Sequence, residues 1–402
     1  MKNLTEGKPL KLILYFAIPL FIGQLFQLFY SLVDTRIVGA TLGDASLAAV
    51  GATTTLSDML VSMLNGLTNG AAIVVATYFG AKDEKHMKKA IGGTVLIGIC
   101  FSICVSTLCL VFLSPILKFL NISKEIMPQA KAYIGIILAG LLASTLYNIC
   151  AAILRAVGDS FTPLIFLIIA SFLNIGLDYG LILGFHMGVE GAALATVLSQ
   201  AVSAFLCFLY MKKKYPQLML TKEDRKAEKE IYKKLLSSGL AMSFMISFVT
   251  LGTLALQTSI NTFGTNIIVA HTAARKATSV FMLPFSVLGQ TLATYCGQNL
   301  GAGKYNRIKK GIRDTVLVTF VWCIGVMIAA YTSSPVLIRL ITATKQKEVI
   351  DTATLYLKVN TVFYFVSCDK AFIVQPPPFD SQRLSKSIFL LSKSSILSSL
   401  IS

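Results

Sequence analysis

The sequence predicts an all-α polytopic membrane protein, and three observations carry that prediction. Of its 402 residues 55% are apolar and only 14% charged, about half the charged share of a soluble domain. Mean hydropathy is +0.72. Apolar runs of about twenty residues or more recur along the chain, too long for core strands and too many for a signal peptide. A soluble enzyme, a secreted disulfide scaffold and a disordered chain are therefore excluded.

Ten spans follow in order, near 12–36, 46–79, 90–117, 130–154, 163–185, 189–211, 235–262, 268–300, 312–334 and 350–368. None alternates with period two over about ten residues as a membrane barrel strand does, so each reads as a helix. The loop cations orient them. One side carries Lys2, Lys8, Lys11, Lys82, Lys85, Lys88, Lys89, Arg155, nine cations of the 212–234 loop, Lys304, Arg307, Lys309, Lys310 and Arg313. The other carries only Arg36, Lys118, Lys124, Lys131, Arg339, Lys345 and Lys347. Positive loops stay cytoplasmic, so the amino terminus is expected inside a multi-pass plasma-membrane protein with no cleavable signal. The net charge of +17 is thus topological, and no nucleic-acid partner is expected. The eight cysteines sit almost entirely within apolar runs without a CxxC pair, and His occurs three times. No metal centre, catalytic thiol or cofactor follows from them.

Shifted by 221 residues, the chain aligns with itself. Across 80–96 and 301–317 eight of seventeen positions are identical, among them Gly80-Ala81 with Gly301-Ala302 and Lys88-Lys89 with Lys309-Lys310. Gly43 falls on Gly264 and Ala52 on Ala273. Six spans separate the copies, so both insert with the same orientation, the parallel repeat of a transporter with its site between halves. The expected organisation is a six-helix lobe over 1–211, a charged cytoplasmic linker over 212–234 and an incomplete lobe of about four helices over 235–368. Residues 369–402 form a tail with Pro376-Pro377-Pro378 and nine Ser among 376–402. From about 367 onward the chain reads as foreign to the fold, a frameshift or truncation product. A genuine ten-span protein with a disordered tail is the alternative.

Polar groups inside spans are costly and by default functional. Asp34 ends the first apolar run, with Gln27 seven residues earlier on the same helical face. Asn174 and Asp178 lie one turn apart in the fifth span, with Asn148 in the fourth and Thr196 in the sixth. Asp178 is fifteen residues past Pro163, about 22 Å along the helix, and Thr196 about 10 Å below the opposite surface. Three helices thus bring oxygens to the outer half of one lobe. Two carboxylates with amide and hydroxyl oxygens suit a hard monovalent cation, and two close carboxyls also suit one shared proton. Structural hydrogen bonding is the plainer reading for each residue singly. Asp58 either lines the cavity or meets the outer water. Arg155 and Asp159 read as a local ion pair at a helix-terminating turn, and Arg275 and Lys276 as interfacial cations opening the eighth span. The second half places Ala255 opposite Asp34 and has no acid in its seventh span.

On these residues the chain resembles the multidrug and toxin extrusion (MATE) family. The resemblance runs from about Leu10 to Val366, through Gln27 to Asp34, Gly43, Leu47-Ala48-Ala49-Val50-Gly51, Leu154 to Pro163, Asn174-Ile175-Gly176-Leu177-Asp178, Ala195-Thr196 to Ser199-Gln200, and Pro284 to Gly303. It implies twelve helices in two lobes, of which about ten are present here, and alternating access. It implies exchange of Na⁺ or H⁺ as coupling ion for amphipathic, often cationic drugs or toxins. The cation site of the family's amino-lobe branch falls on Asp34, Asn148, Asn174, Asp178 and Thr196, with Na⁺ at Asp34 and Asp178. Gln27, Asp58 and Gln200 are expected along the cavity, and a monomer in the bilayer is expected. The alternatives are a lipid-linked sugar flippase of the same superfamily, which calls for cavity cations, and a non-functional truncated remnant. A membrane-embedded enzyme finds no His, Ser or metal constellation in the spans.

Overall fold

The computed structural model describes residues 3–120, 122–221, 224, 227–260, 263–342 and 346–364. The expected aberrant tail lies outside the described residues. Helix α1 is 72 residues long, Pro9–Gly80, and its only non-helical backbone is at Gly43 (φ 81, ψ −179). Two spans separated by a loop were expected. The break is instead a single glycine, since positive φ with extended ψ is open only to a residue without Cβ.

Helices α2 (Glu84–Val111) and α3 (Leu113–Phe119) divide the third span at Phe112. Helices α4 (Met127–Ala139) and α5 (Leu141–Ala156) form the fourth, bent by 42°. The bend centres on Gly140, where a Cβ would stand 2.2 Å from Val197 Cγ2. Helix α6 (Phe161–Asp178) passes into a π-helical turn, Tyr179–Gly184, before α7 (Val189–Lys214). Then come α8 (Lys229–Ile260), α9 (Thr265–Gly301), α10 (Tyr305–Thr342) and α11 (Lys347–Val362). Among the described residues, seven helices are long and apolar enough to cross a bilayer, eight with the bent α4–α5 pair. The two arms of α1 supply a ninth span. The tenth expected span falls on α11, whose 16 residues are short of the roughly 20 a full crossing needs. Because α9 starts at Thr265, Arg275 lies three turns inside it rather than at its opening.

The repeat is written into the backbone. Gly264 (φ 94, ψ 164) has the conformation of Gly43, 221 residues earlier. Lys82 (φ 58) and Gly303 (φ 69), also 221 apart, are both left-handed. Around them three hydrogen bonds recur at the same shift. Ala81, Lys82 and Asp83 N–H donate to the carbonyls of Thr77, Phe79 and Tyr78, and Ala302, Gly303 and Lys304 to those of Gln298, Leu300 and Asn299. These are Schellman-type helix ends, which satisfy carbonyls left orphaned at a C-terminus.

The chain separates into two compact units. The first comprises Ile18–Ser247 with Asn3, and the second Leu4–Ala17 with the described residues from Phe248 to Tyr364. In the first, Gly66 and Gly70 of α1 pack backbone to backbone with α8. A Cβ on Gly70 would lie 2.4 Å from the Ser238 carbonyl oxygen, and the Ser238 and Ser243 hydroxyls donate to Gly70 and Met63 carbonyls at 2.8 and 2.7 Å. Small residues with a hydroxyl across the interface are how membrane helices associate when lipid is as apolar as leucine. In the second unit, Leu4 N–H donates to Gln298 Oε1 at 2.9 Å, and Arg307 Nη1 donates to the Gly7 carbonyl at 2.8 Å.

Candidate functional site

A cavity of about 210 Å³ lies inside the first unit, walled by both arms of α1 and by α4, α5, α6 and α7. Both arms face it because Gly43 turns the chain back. Gln27, Tyr30 and Asp34 come from one face of the first arm, Ser57 and Asp58 from the second, Asn148 from α5, and Thr196 and Gln200 from α7. Among the described residues lining it, Asp34 and Asp58 are the charged ones. Asp58 both lines this cavity and is exposed. Tyr30, Leu167, Thr196 and Gln200 also border a void of about 10 Å³ that adds Asn174.

Asp178 is the last residue of α6 and is fully buried. The π-helical turn that follows it is a one-residue widening of the helix, a feature frequent at functional sites. Its carboxyl lies within side-chain hydrogen-bond reach of Asp34. Two ionised carboxylates only accept, so this contact becomes a hydrogen bond only when one of them carries a proton. Accordingly Asp34 Oδ1 and both Asp178 oxygens are buried without a donor among the described residues. Asn174 is buried and gives Nδ2 to Thr196 Oγ1 in a long contact of 3.5 Å, leaving its Oδ1 equally orphaned. Buried polar oxygens without donors are rare in folded proteins and call for a missing partner of positive character.

The eight residues singled out in the sequence therefore fall in one unit. Asp34 meets Asp178, Asn174 meets Thr196, and Gln27, Asp58, Asn148 and Gln200 stand on the cavity wall. Sequence reasoning missed Tyr30, Ser57, Tyr133 and Tyr147. Tyr30 was within reach, three residues from Gln27 and four from Asp34 on one helical face. Tyr133 and Tyr147 were not, because the bend at Gly140 decides which side of α4 and α5 faces inward.

One local expectation is corrected. Arg155 does not pair with Asp159; its Nη2 donates to Asn69 Oδ1 at 3.1 Å. Gly158 (φ 88) swings the chain so that Asp159 caps α6 instead. It accepts from Thr162 N–H at 3.0 Å and from the Thr162 and Tyr215 hydroxyls at 2.8 and 2.9 Å.

The MatE family model matches residues 19–180 and 241–371, well over half of the chain. The chain belongs to the MatE family. The two matched stretches begin 222 residues apart, one residue from the internal shift. This MatE protein is 28% identical over 313 residues to the probable multidrug resistance protein YoeA of Bacillus subtilis (strain 168), covering 76% of this chain and 68% of that protein. It is 29% identical over 308 residues to the probable multidrug resistance protein YpnP of the same organism, with the same shares. Its fold matches the crystal structure of MATE in complex with MaL6, with a TM-score of 0.86 at 23% identity over 93% of this chain and 84% of that one. It is a multi-span protein embedded in a membrane, and its family consists of transporters rather than enzymes.

Proposed function

We propose that this MatE protein is a secondary active exporter of amphipathic, cationic compounds in exchange for Na⁺ or H⁺. It works as a monomer in the plasma membrane with its amino terminus inside, as the loop cations indicate. The observation that carries the reading is the contact of Asp34 with Asp178, surrounded by orphaned oxygens and beside an acidic cavity.

Asp34 and Asp178 are the ion-binding carboxyls, with Asn148, Asn174 and Thr196 as auxiliary oxygens. A small cation or a proton removes the repulsion between two acids at close range in a low-dielectric interior. The compound to be exported uses the same negative field, so ion and compound compete for one wall. An ion entering from outside neutralises the pair, the compound leaves outward, and the carrier returns. Helix α1 is built to bend in this cycle. Pro19 lacks the N–H that would close its helical turn, and Gly43 already breaks the arm. The absence of Lys and Arg from the described lining favours a cationic cargo over a phosphate-bearing lipid-linked sugar, which needs cations in the wall.

The test is accumulation of a fluorescent organic cation in proteoliposomes under an imposed Na⁺ or pH gradient. The parent chain moves the compound against its gradient, and D34N and D178N each lose gradient-driven movement by about tenfold or more, the loss of about 1.4 kcal/mol of coupling. If D34N left gradient-driven efflux unchanged, the assignment would be wrong.

A further inference from the structure

The second unit holds a buried base of its own. His271 lies on the second turn of α9 and is 4% exposed. Neither ring nitrogen has a hydrogen-bond partner among the described residues. The ring meets Tyr356 of α11 edge to face, centroids 5.3 Å apart at 87°. Around it Ala270, Ala273 and Ala274 of α9 pack with Ile338 of α10 and Ala353 and Leu357 of α11.

A neutral imidazole always presents one N–H and one lone pair, and burying both unpaired carries the desolvation cost of each with no hydrogen bond to offset it. Among the described residues the ring caps nothing and bridges nothing, so its placement serves no hydrogen-bonding purpose in their packing. The charges on the packed elements do not rescue it. Arg275 sits one turn along α9 and acts on the ring as a like charge. Lys276 of α9, Arg339 of α10 and Lys347, Glu348 and Asp351 of α11 are exposed. Glu348 accepts from Asn266 Nδ2 at 2.8 Å, and Lys358 lies over the Tyr331 ring at 5.6 Å. Among the described residues, Tyr356 is the titratable group in ring contact with His271. The closed packing thus accommodates the neutral ring, while an imidazolium there is a buried charge with no acceptor, which proteins avoid by opening the site to water.

We propose that His271 is a proton-binding site of the second unit, and that proton uptake opens the contact between α11 and the first turns of α9. The site lies just past the Gly264 break, at the end that the loop cations place outside. That sidedness rests on the proposed function, whereas the proton site itself does not. It gives the half without a carboxylate pair its own response to external acid.

The experiment is hydrogen–deuterium exchange of the full chain in lipid nanodiscs across pH 5–8, corrected for intrinsic rates and read on residues 347–362. Opening that takes up one proton makes the corrected rate rise about tenfold per pH unit of acidification. In H271Q and H271F the rise is absent, and in a D34N/D178N background it persists. A flat profile in the parent, or an undiminished slope in H271Q, overturns the assignment. Loss of the slope in D34N/D178N does so as well, because the proton then belongs to the first unit. Should both His271 variants fail to fold, ¹⁵N-histidine spectra of the parent decide. With only three His in the chain, an unpaired ring that does not titrate alongside α11 opening overturns the proposal.

Discussion

At the scale of single residues, the negative wall of the first unit divides into two kinds of acid. Asp178 is enclosed and touches Asp34, whereas Asp58 stands exposed on the same cavity. An exposed carboxylate holds water until a cation displaces it, so Asp58 suits recognition of the compound more than retention of the ion. D58N should therefore raise KM for a cationic compound by roughly tenfold, about 1.4 kcal/mol, and leave KM for a neutral one and the ion dependence unaltered. Equal effects on both compounds in the proteoliposome assay would remove Asp58 from recognition. The residues of this site were legible because acids and amides are rare in apolar spans, so Asp34, Asn174 and Asp178 stood out one by one. Tyr133 and Tyr147 did not, since an aromatic in a span is usually packing and nothing local marks it otherwise. The Arg155–Asp159 pair misled for the opposite reason. Adjacent opposite charges suggest an ion pair, but a left-handed glycine between them sent the two side chains to different partners.

At the scale of elements, span positions followed from hydropathy alone, because a bilayer imposes one length on every crossing helix. The joints were less visible. Gly140 bends the fourth span and Phe112 divides the third, and the bend at Gly140 depends on the Val197 side chain opposite it rather than on local sequence. Gly43 and Gly264 were visible only as aligned letters; their shared positive φ supplies the reason for the match. The start of α2 shows a cap at work. Asp83 accepts from His86 N–H at 3.1 Å and contacts its Nδ1 at 2.6 Å. Burial pushes the Asp83 carboxyl up, but the His86 hydrogen bonds outweigh it and hold it below its ordinary value of 3.8. D83A should cost about 1 kcal/mol of helix-end stability, seen as faster amide exchange over 84–87. A carboxyl depressed in the folded state contributes fully above its ordinary value, and the contribution is lost as pH falls through the lowered one. The parent and D83A should therefore differ at neutral pH and converge in strong acid, as pH falls through the lowered value. A difference that persists in strong acid would assign the cap to something other than the carboxylate.

At the scale of the whole molecule, the two copies share a backbone but not a chemistry. The turns at Lys82 and Gly303 repeat bond for bond, while the paired acids belong to the first unit and the buried imidazole to the second. Duplication explains the fold, and divergence at a handful of inward positions is what places the proposed ion site in one half. Helix α1 begins in the second unit and α8 in the first. The most direct test of the ion site is infrared difference spectroscopy of the full chain in bilayers, with Na⁺ or acid added. A carboxyl band that changes on addition and is lost in both D34N and D178N is the predicted result; a band that survives unchanged in both variants would contradict it.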